Sequence, residues 1–255
     1  MAEEEKDEIH RIEKDTQQSG FPLEIEVTAI LKKSGWDVQN QVYYQDKDEG
    51  KPRSVDVIAT KAWFESFGVY DRFSITLVIE CKKSVKPWVF FMTSKSRNLF
   101  EFPFFYIKNF SQPELEKSIN FIKWSQEQMH YVSSSRECAV ISYEPFKEGK
   151  GQEILEATHQ VTKALKDHLE FCKKAATMIS MEPAFLLYPV IVFDGHIFEY
   201  AVQNEDLKIS RSDYVQFLMG NDFLIDVIER NSLPDYLKMV DEEITTLKER
   251  LKRTH

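Results

Sequence analysis

Four residues have the types and order needed to hold a hard metal ion beside a phosphodiester: Glu24, Asp56, Glu80 and Lys82. Glu80 and Lys82 end an apolar run and lie two residues apart, so a strand would project both from one face and Cys81 from the other. Asp56 lies in a second strand-like run. Mg²⁺ prefers carboxylate oxygens, and a nearby lysine can orient water or stabilise charge on phosphorus. The pattern indicates metal-dependent phosphodiester hydrolysis.

The order of these residues resembles the PD-(D/E)XK phosphodiesterase superfamily. In this resemblance Asp56 is the first acid, Glu80-Cys81-Lys82 is the (Asp/Glu)-x-Lys motif, and Glu24 is the acid of the preceding helix. The helix that begins Phe21-Pro22-Leu23-Glu24 resembles the first helix of Mrr-type restriction enzymes. Val55 stands in place of the proline that names the family. The motif and its helix therefore point to one family.

The resemblance, which covers residues 21–145, implies an α/β fold with a restriction-endonuclease-like αβββαβ core, a mixed sheet flanked by helices. It also implies Mg²⁺ as the cofactor, for which Mn²⁺ can substitute. Asp56, Glu80 and Glu24 would hold the metal, and Lys82 would assist the attacking water. The implied protein is an endonuclease that acts on nucleic acid, with DNA favoured over RNA, in restriction, phage defence or repair.

Each of these residues also has an ordinary structural explanation. Glu-x-Lys pairs are common on exposed strands, Asp56 suits a strand-end cap, and Glu24 suits a first helical turn, where the helix dipole favours an acid. Acids and lysines in otherwise apolar strands, however, cost burial energy unless they are paired or metal-bound. A non-catalytic nucleic-acid-binding or protein-interaction module on the same fold is the second hypothesis, and the acidic N-terminal segment and net charge favour it.

The charge distribution reduces the objection that an acidic protein binds nucleic acid poorly. The net charge is −9, yet residues 21–110 carry 13 basic and 11 acidic residues. Phosphate binding relies on Lys and Arg. Four such residues follow the metal motif and are the candidate nucleic-acid contacts: Lys83, Lys86, Lys95 and Arg97. A solvated lysine-rich loop is the other reading of this cluster.

Composition indicates a folded protein of one elaborated domain. The chain has 255 residues, of which 42% are hydrophobic and 13% aromatic. Its three cysteines (Cys81, Cys138 and Cys172) have no CxxC spacing, so we expect buried free thiols in a reducing compartment. The longest apolar run, residues 185–193, is too short to span a bilayer. We therefore expect a cytoplasmic protein without a membrane segment.

Periodicity predicts the elements of the nuclease domain, which we assign to residues 21–205. Residues 1–20 are a charged tail or a marginal helix. The predicted order is a helix, three strands, a helix and a strand, which is also the order of the restriction-endonuclease-like core. Their predicted ranges are 22–34, 36–44, 53–60, 74–82, 111–131 and 137–143.

The C-terminal part is predicted to elaborate this core with a helix, a hairpin and a terminal helix. A long helix over 151–178 precedes a strand over 184–193. Asp194-Gly195 then signals a tight hairpin turn into a strand at 197–202. Residues 206–255 are assigned as a helical extension packed on the same domain. Two apolar heptads are too few for a free coiled coil, so monomer and homodimer both remain open.

Overall fold

A computed structural model describes residues 2–65, 72–94, 104–107, 130, 137–146, 153–178, 183–203, 206–219 and 223–253. Within these ranges the chain forms four α-helices and eleven strands. The helices are α1 (Ala2–Gln18), α2 (Phe21–Lys33), α3 (Glu153–Met178) and α4 (Leu233–Arg253). The strands are β1 (Asp37–Asp46), β2 (Lys51–Trp63), β3 (Arg72–Lys83), β4 (Trp88–Thr93), β5 (Phe104–Ile107), β6 (Cys138–Tyr143), β7 (Pro183–Asp194), β8 (Ile197–Gln203), β9 (Asp206–Ser212), β10 (Tyr214–Met219) and β11 (Phe223–Glu229). No helix of the described part is long and apolar enough to cross a membrane.

Helix α2 follows directly from its sequence. Pro22 lies in the first turn, where its missing N–H has no helical acceptor to lose. Leu23, Val27 and Leu31 recur at four-residue spacing and are all buried. Gly35 has a φ of +79°, the left-handed conformation that ends helices and that glycine adopts without steric cost. The predicted helix over residues 22–34 is therefore confirmed.

Strands β1, β2 and β3 form an antiparallel meander, and β7 extends the sheet as a parallel neighbour of β3. β1 pairs with β2 from Asp37↔Thr60 to Asp46↔Lys51. β2 pairs with β3 in the same antiparallel sense, and β3 pairs in parallel with β7 along its whole length. Helix α3 precedes β7, so it lies in the connection that a parallel pair requires.

The described strands join in one sheet in the order β1-β2-β3-β7-β11-β10-β6-β4-β8-β9. β5 lies off this path and pairs with the first half of β7, while β11 pairs with its second half. β7 is thus bounded by other strands on both edges and is the centre of the first half of the sheet.

Two apolar clusters cover the two faces of this sheet. Along β7, Leu186 and Val190 point to the cluster that contains α2 and α4, and Leu187 and Ile191 point to the cluster that contains α3. A strand buried on both faces reads as a continuous apolar run, which is why residues 184–193 were recognisable as a strand. The three cysteines are buried free thiols, as predicted.

The last strand of the predicted order forms, but it does not join the first three strands directly. Residues 137–143 do form a strand, but this strand, β6, lies between β10 and β4 and not beside β3. The strand parallel to β3 is β7, some forty residues further along the chain, and the helix that precedes it is α3. The helix predicted over 111–131 lies outside the described residues, except for His130. Strand pairing over such separations is not encoded in local periodicity.

The predicted hairpin at Asp194-Gly195 is also wrong. β7 and β8 are consecutive but not paired, because both edges of β7 are already occupied by other strands. The turn instead sends the chain to β4, which β8 joins in parallel. A Cβ at Gly195 would lie 2.4 Å from the Phe193 ring and 2.7 Å from the Ser84 carbonyl oxygen, so this turn requires glycine. The glycine was a correct turn signal, but it did not specify the partner.

The helical extension predicted over 206–255 is wrong for its first half. Residues 206–229 contain the strands β9, β10 and β11, and the terminal helix begins only at Leu233. The runs Tyr214–Met219 and Phe223–Glu229 are rich in β-branched and aromatic residues, which favour strands. Helix α4 buries its apolar stripe in the same cluster as α2. The N-terminal segment, predicted as a tail or marginal helix, forms α1.

A buried polar cluster around His130 ties α4 to the sheet. The His130 ring lies 2.9 Å from the Asp226 carboxylate of β11 and 2.7 Å from the Glu243 carboxylate of α4. The hydroxyls of Tyr214 and Tyr236 donate to Asp226 at 2.7 and 2.8 Å. Burial by itself lowers the pKa of His130, but the charges of Asp226 and Glu243 outweigh it and raise this pKa to about 9.

We expect the free energy of unfolding to fall as pH rises from about 6.5, the pKa of histidine in an unfolded chain, to about 9. His130 then loses its proton, and with it the attraction to Asp226 and Glu243, a loss on the order of 3 kcal/mol. Tyr188, which donates to Glu243 at 3.3 Å, keeps its proton in this window because burial raises its pKa. Urea unfolding at several pH values measures the effect. His130→Gln is the control, and an equal pH dependence in both proteins would contradict a charged histidine.

Candidate active site

The strands that carry two of the candidate acids separate where those acids lie. The paired register of β2 and β3 ends at Val57↔Ile79, and one step further it sets Asp56 opposite Glu80. At this step the Asp56 carboxylate accepts the backbone N–H of Cys81 at 2.7 Å. The Asp56 side chain thus satisfies the backbone N–H at the end of the paired stretch. This hydrogen bond holds Asp56 beside the end of β3.

Glu80 and Lys82 form a largely buried ion pair on β3. Lys82 Nζ lies 2.7 Å from Glu80 Oε1 and donates to Gln160 Oε1 of α3 at 2.9 Å. The Glu80 side chain is 3% exposed, and its second oxygen, Oε2, has no hydrogen-bond partner among the residues that the structure describes. Cys81 packs in the opposite cluster, with α2 and α4, as strand alternation predicts. Gln160, which no sequence motif indicated, belongs to the site through this contact.

Gln41 is a second site residue that no sequence motif indicated. Its Nε2 donates to Glu24 Oε2 at 2.6 Å and lies 3.5 Å from Asp56 Oδ1. Its Oε1 accepts the Ser54 hydroxyl at 3.1 Å, which orients the amide. The Gln41 amide therefore links the candidate acid of α2 to the candidate acid of β2. The only sequence signal is its position in a polar stretch of a strand.

The backbone of Gln41 explains why the site forms at this point. Gln41 has a φ of +50°, and the β1–β2 ladder lacks a pair at this residue. Before it, Val38 packs on the cluster with α2, and after it Val42 packs on the cluster with α3, although a regular strand would put both on one face. On β2, Val57 packs on the cluster with α2 and Val55 on the cluster with α3. At Gln41 the apolar side chains of the β1–β2 hairpin thus switch from one face of the sheet to the other.

The site has an excess of negative charge in a buried environment. Burial and the charge of Asp56 raise the pKa of Glu80 to about 7, although Lys82 opposes this. Burial also raises the pKa of Asp56 and of Glu24. Burial alone would lower the pKa of Lys82, but the charges of Glu80 and Asp56 outweigh it and raise this pKa. A bound cation would relieve the repulsion among the three acids.

The donor chemistry fits a hard cation, with two acids as ligands. Within the described part of the chain, Glu80 Oε2 has no hydrogen-bond partner, and Asp56 Oδ1 has only the long contact with Gln41. Both are carboxylate oxygens of the kind that Mg²⁺ accepts. Glu24 accepts a hydrogen bond from Gln41, so it supports the site without being one of the two ligands, Asp56 and Glu80. Among the described residues, no three His, Cys, Asp or Glu side chains are grouped closely enough to hold a metal ion.

A cleft lies between the β1–β2 turn and α3, the helix that carries Gln160. It encloses about 750 Å³, and its lining includes Asp46, Lys163 and His159, the neighbour of Gln160. The Lys163 ammonium lies 2.8 Å from Asp46 and 3.2 Å from Asp48, so its charge is largely compensated. A cleft of this size accommodates a group as large as a nucleotide.

Two of the candidate nucleic-acid contacts follow the site along the chain. Lys83 Nζ donates to the Gln17 carbonyl oxygen at 2.8 Å, and Lys86 Nζ donates to the Phe146 carbonyl oxygen at 2.6 Å. An ammonium has three donors, so each lysine retains donors for a phosphate. Two other candidates lie outside the described residues: Lys95 and Arg97.

Comparison with family models, with curated proteins and with solved structures gave no significant match. Function is therefore inferred from the residues and their geometry. The strongest features for that purpose are the buried Glu80–Lys82 pair, the neighbouring Asp56 and the Gln41 link to Glu24.

Gln41 gives a test of the local backbone. Because a residue with a side chain pays about 1–2 kcal/mol for the left-handed conformation, we expect Gln41→Gly to be more stable than Gln41→Ala by about 1 kcal/mol. Both variants lack the amide, so their difference isolates the backbone. Chemical denaturation measures the two free energies of unfolding. A Gln41→Ala protein as stable as Gln41→Gly would contradict the left-handed backbone at this position.

Proposed function

We propose that this protein is a metal-dependent endonuclease that hydrolyses phosphodiester bonds in nucleic acid, with DNA favoured over RNA. One observation carries the proposal: Glu80 is buried with one oxygen paired to Lys82 and the other without a partner among the described residues. Continuing the β2–β3 register by one residue puts Asp56 opposite Glu80, and burial and then the charge of Asp56 raise the pKa of Glu80. A structural ion pair would engage both oxygens, whereas a metal site leaves one available.

The order of the elements supports a restriction-endonuclease-like core. α2, the meander β1–β2–β3, α3 and the parallel strand β7 follow one another as αβββαβ. Residues 88–146 then form an insertion between β3 and α3 that supplies β4, β5 and β6. In this proposal the nuclease core runs further along the chain than residue 145, because its last two elements are α3 and β7.

Each side chain has a defined task in the proposed reaction. Asp56 and Glu80 would hold Mg²⁺, which supplies charge stabilisation and a more acidic water when bound. Hydrolysis joins a water oxygen to phosphorus, breaks the bond to the leaving oxygen and returns a proton to that oxygen. Lys82 keeps its charge and can stabilise the negative charge that develops on phosphorus. Glu24 holds Gln41, which in turn holds Asp56 in place.

A second candidate function is a non-catalytic binding module on the same fold, and one observation favours it. Glu24, Asp56 and Glu80 each have a hydrogen-bond or ion-pair partner within the protein, in Gln41, the Cys81 N–H and Lys82. Such a site is partly neutralised without a metal. Binding of DNA without cleavage would distinguish this function from the proposed one.

The sharpest test of catalysis is Glu80→Gln. We expect metal-dependent cleavage to fall by at least about 100-fold, because the variant loses one metal ligand. We expect the thermal transition to be unchanged or higher, because Asp56 and burial disfavour the Glu80 charge. Cleavage of single-stranded, duplex and branched DNA and of RNA is measured with Mg²⁺ or Mn²⁺.

The matched control is Glu199→Gln, which makes the same chemical change on β8, where Glu199 accepts a hydrogen bond from Ser212. This control should cleave like the parent. If Glu80→Gln also cleaves like the parent, Glu80 has no part in catalysis and the nuclease proposal fails. If the parent binds DNA and cleaves none of the substrates, the result supports the non-catalytic binding module instead.

Lys83 and Lys86 are expected to bind phosphates near the site. The double variant Lys83→Ala/Lys86→Ala should weaken binding to duplex DNA of any sequence, and it should lower the slope of log affinity against log salt by about 2, roughly one per phosphate contact. Fluorescence anisotropy across a salt series measures both effects. Lys208→Ala, on the distant edge strand β9, is the control. An unchanged slope in the double variant would place the phosphate contacts elsewhere.

A further inference from the structure

Tyr44 has a buried hydroxyl that the proposed mechanism does not use. It lies on β1, three residues after Gln41, and is only 6% exposed. Its ring packs with Val55, Ile58 and Val78 in the cluster that contains α3. The hydroxyl itself has no hydrogen-bond partner among the described residues. A buried hydroxyl without a partner destabilises the folded state, so its presence here calls for a reason.

A second buried oxygen without a partner lies on the same face of the sheet. This atom is Glu80 Oε2, and the alternation of β3 puts Glu80 on the face of Val78, where Tyr44 also packs. Burial first and then the charge of Glu80 raise the pKa of Tyr44. The phenol therefore keeps its proton at neutral pH and can donate, while the carboxylate oxygen can accept.

We propose that Tyr44 is a positioning residue of this site, and that its O–H donates to a water molecule which in turn donates to Glu80 Oε2. In the metal-free protein one water satisfies both buried atoms, which is the usual role of internal water, and Oε2 keeps a second lone pair for a cation. This water would be held beside the acid pair on which the reaction depends, so the inference rests on the proposed nuclease function. The face switch at Gln41 is what brings Tyr44 to this side of the sheet.

The alternative role for Tyr44 is simple core packing, which requires the ring and not the hydroxyl. Tyr44→Phe separates the two roles, because it removes only the oxygen. Where a tyrosine hydroxyl is bonded within the protein, as Tyr214 is to Asp226 at 2.7 Å, its loss should lower the thermal transition. At Tyr44 we expect no such effect. Tyr214→Phe is therefore the stability control, and Tyr43→Phe, an exposed neighbour on β1, is the activity control.

For Tyr44→Phe we expect kcat to fall by about 10–100-fold, the usual cost of losing an outer positioning group, with KM and the thermal transition unchanged. A readout independent of activity is a crystal structure of the metal-free parent, which should contain an ordered water within hydrogen-bond distance of Tyr44 Oη and Glu80 Oε2. The Tyr44→Phe crystal should lack that water or displace it.

Each outcome decides the proposal. If the parent cleaves and Tyr44→Phe cleaves equally well, or if the parent crystal has no bridging water, the role of Tyr44 is wrong while the nuclease function stands. If the parent cleaves none of the substrates, the nuclease function fails, and the catalytic role of Tyr44 fails with it. A lower kcat together with the bridging water in the parent supports the proposal.

Discussion

The site depends on one hydrogen bond in which a side chain takes the place of a backbone acceptor. The Asp56 carboxylate accepts the N–H of Cys81 at 2.7 Å. Buried backbone donors must be satisfied, and strands that separate normally leave such donors without partners. Here a side chain satisfies the donor, so β2 and β3 can separate where Asp56 and Glu80 lie. Without this contact, either the ladder would continue through the site or a buried N–H would remain unpaired. The same carboxylate both supports the fold and is available to a ligand.

Three unfavourable local features collect around this point. Gln41 has a left-handed backbone, Glu80 has an elevated pKa, and Tyr44 has a buried hydroxyl without a partner among the described residues. Strain and unsatisfied polar groups persist only where the surrounding structure is well determined, and they cluster at functional sites. The surrounding support is substantial, since β3 and β7 pair along twelve residues and both faces of β7 are packed.

The second half of the sheet closes the structure around this core. Strands β10, β6, β4, β8 and β9 reach β7 only through β11, whereas β5 pairs with β7 directly, and β11 carries Asp226 of the His130 cluster. That cluster joins β11 to α4, and α4 packs with α2, the helix that carries Glu24. The terminal helix is thus connected through packed elements to the site, although none of its residues belongs to it. The His130 cluster and the charged groups around Glu80 lie in different parts of the fold. The contribution of α4 to stability is therefore separate from the proposed chemistry.

The sequence by itself determined the local elements around the site and the four candidate site side chains. Helix α2, the three strands of the meander and the placement of Cys81 opposite Glu80 all follow from periodicity and turn signals, which depend on neighbours a few residues apart. The tertiary structure alone decided that β7 and not β6 lies beside β3, that β7 and β8 form no hairpin, and that Gln41, Gln160 and Tyr44 join the site. These outcomes depend on which strand edges are free and on a single left-handed residue. Local patterns cannot encode such choices, because they are made between segments that are distant in the chain and meet only in the folded protein.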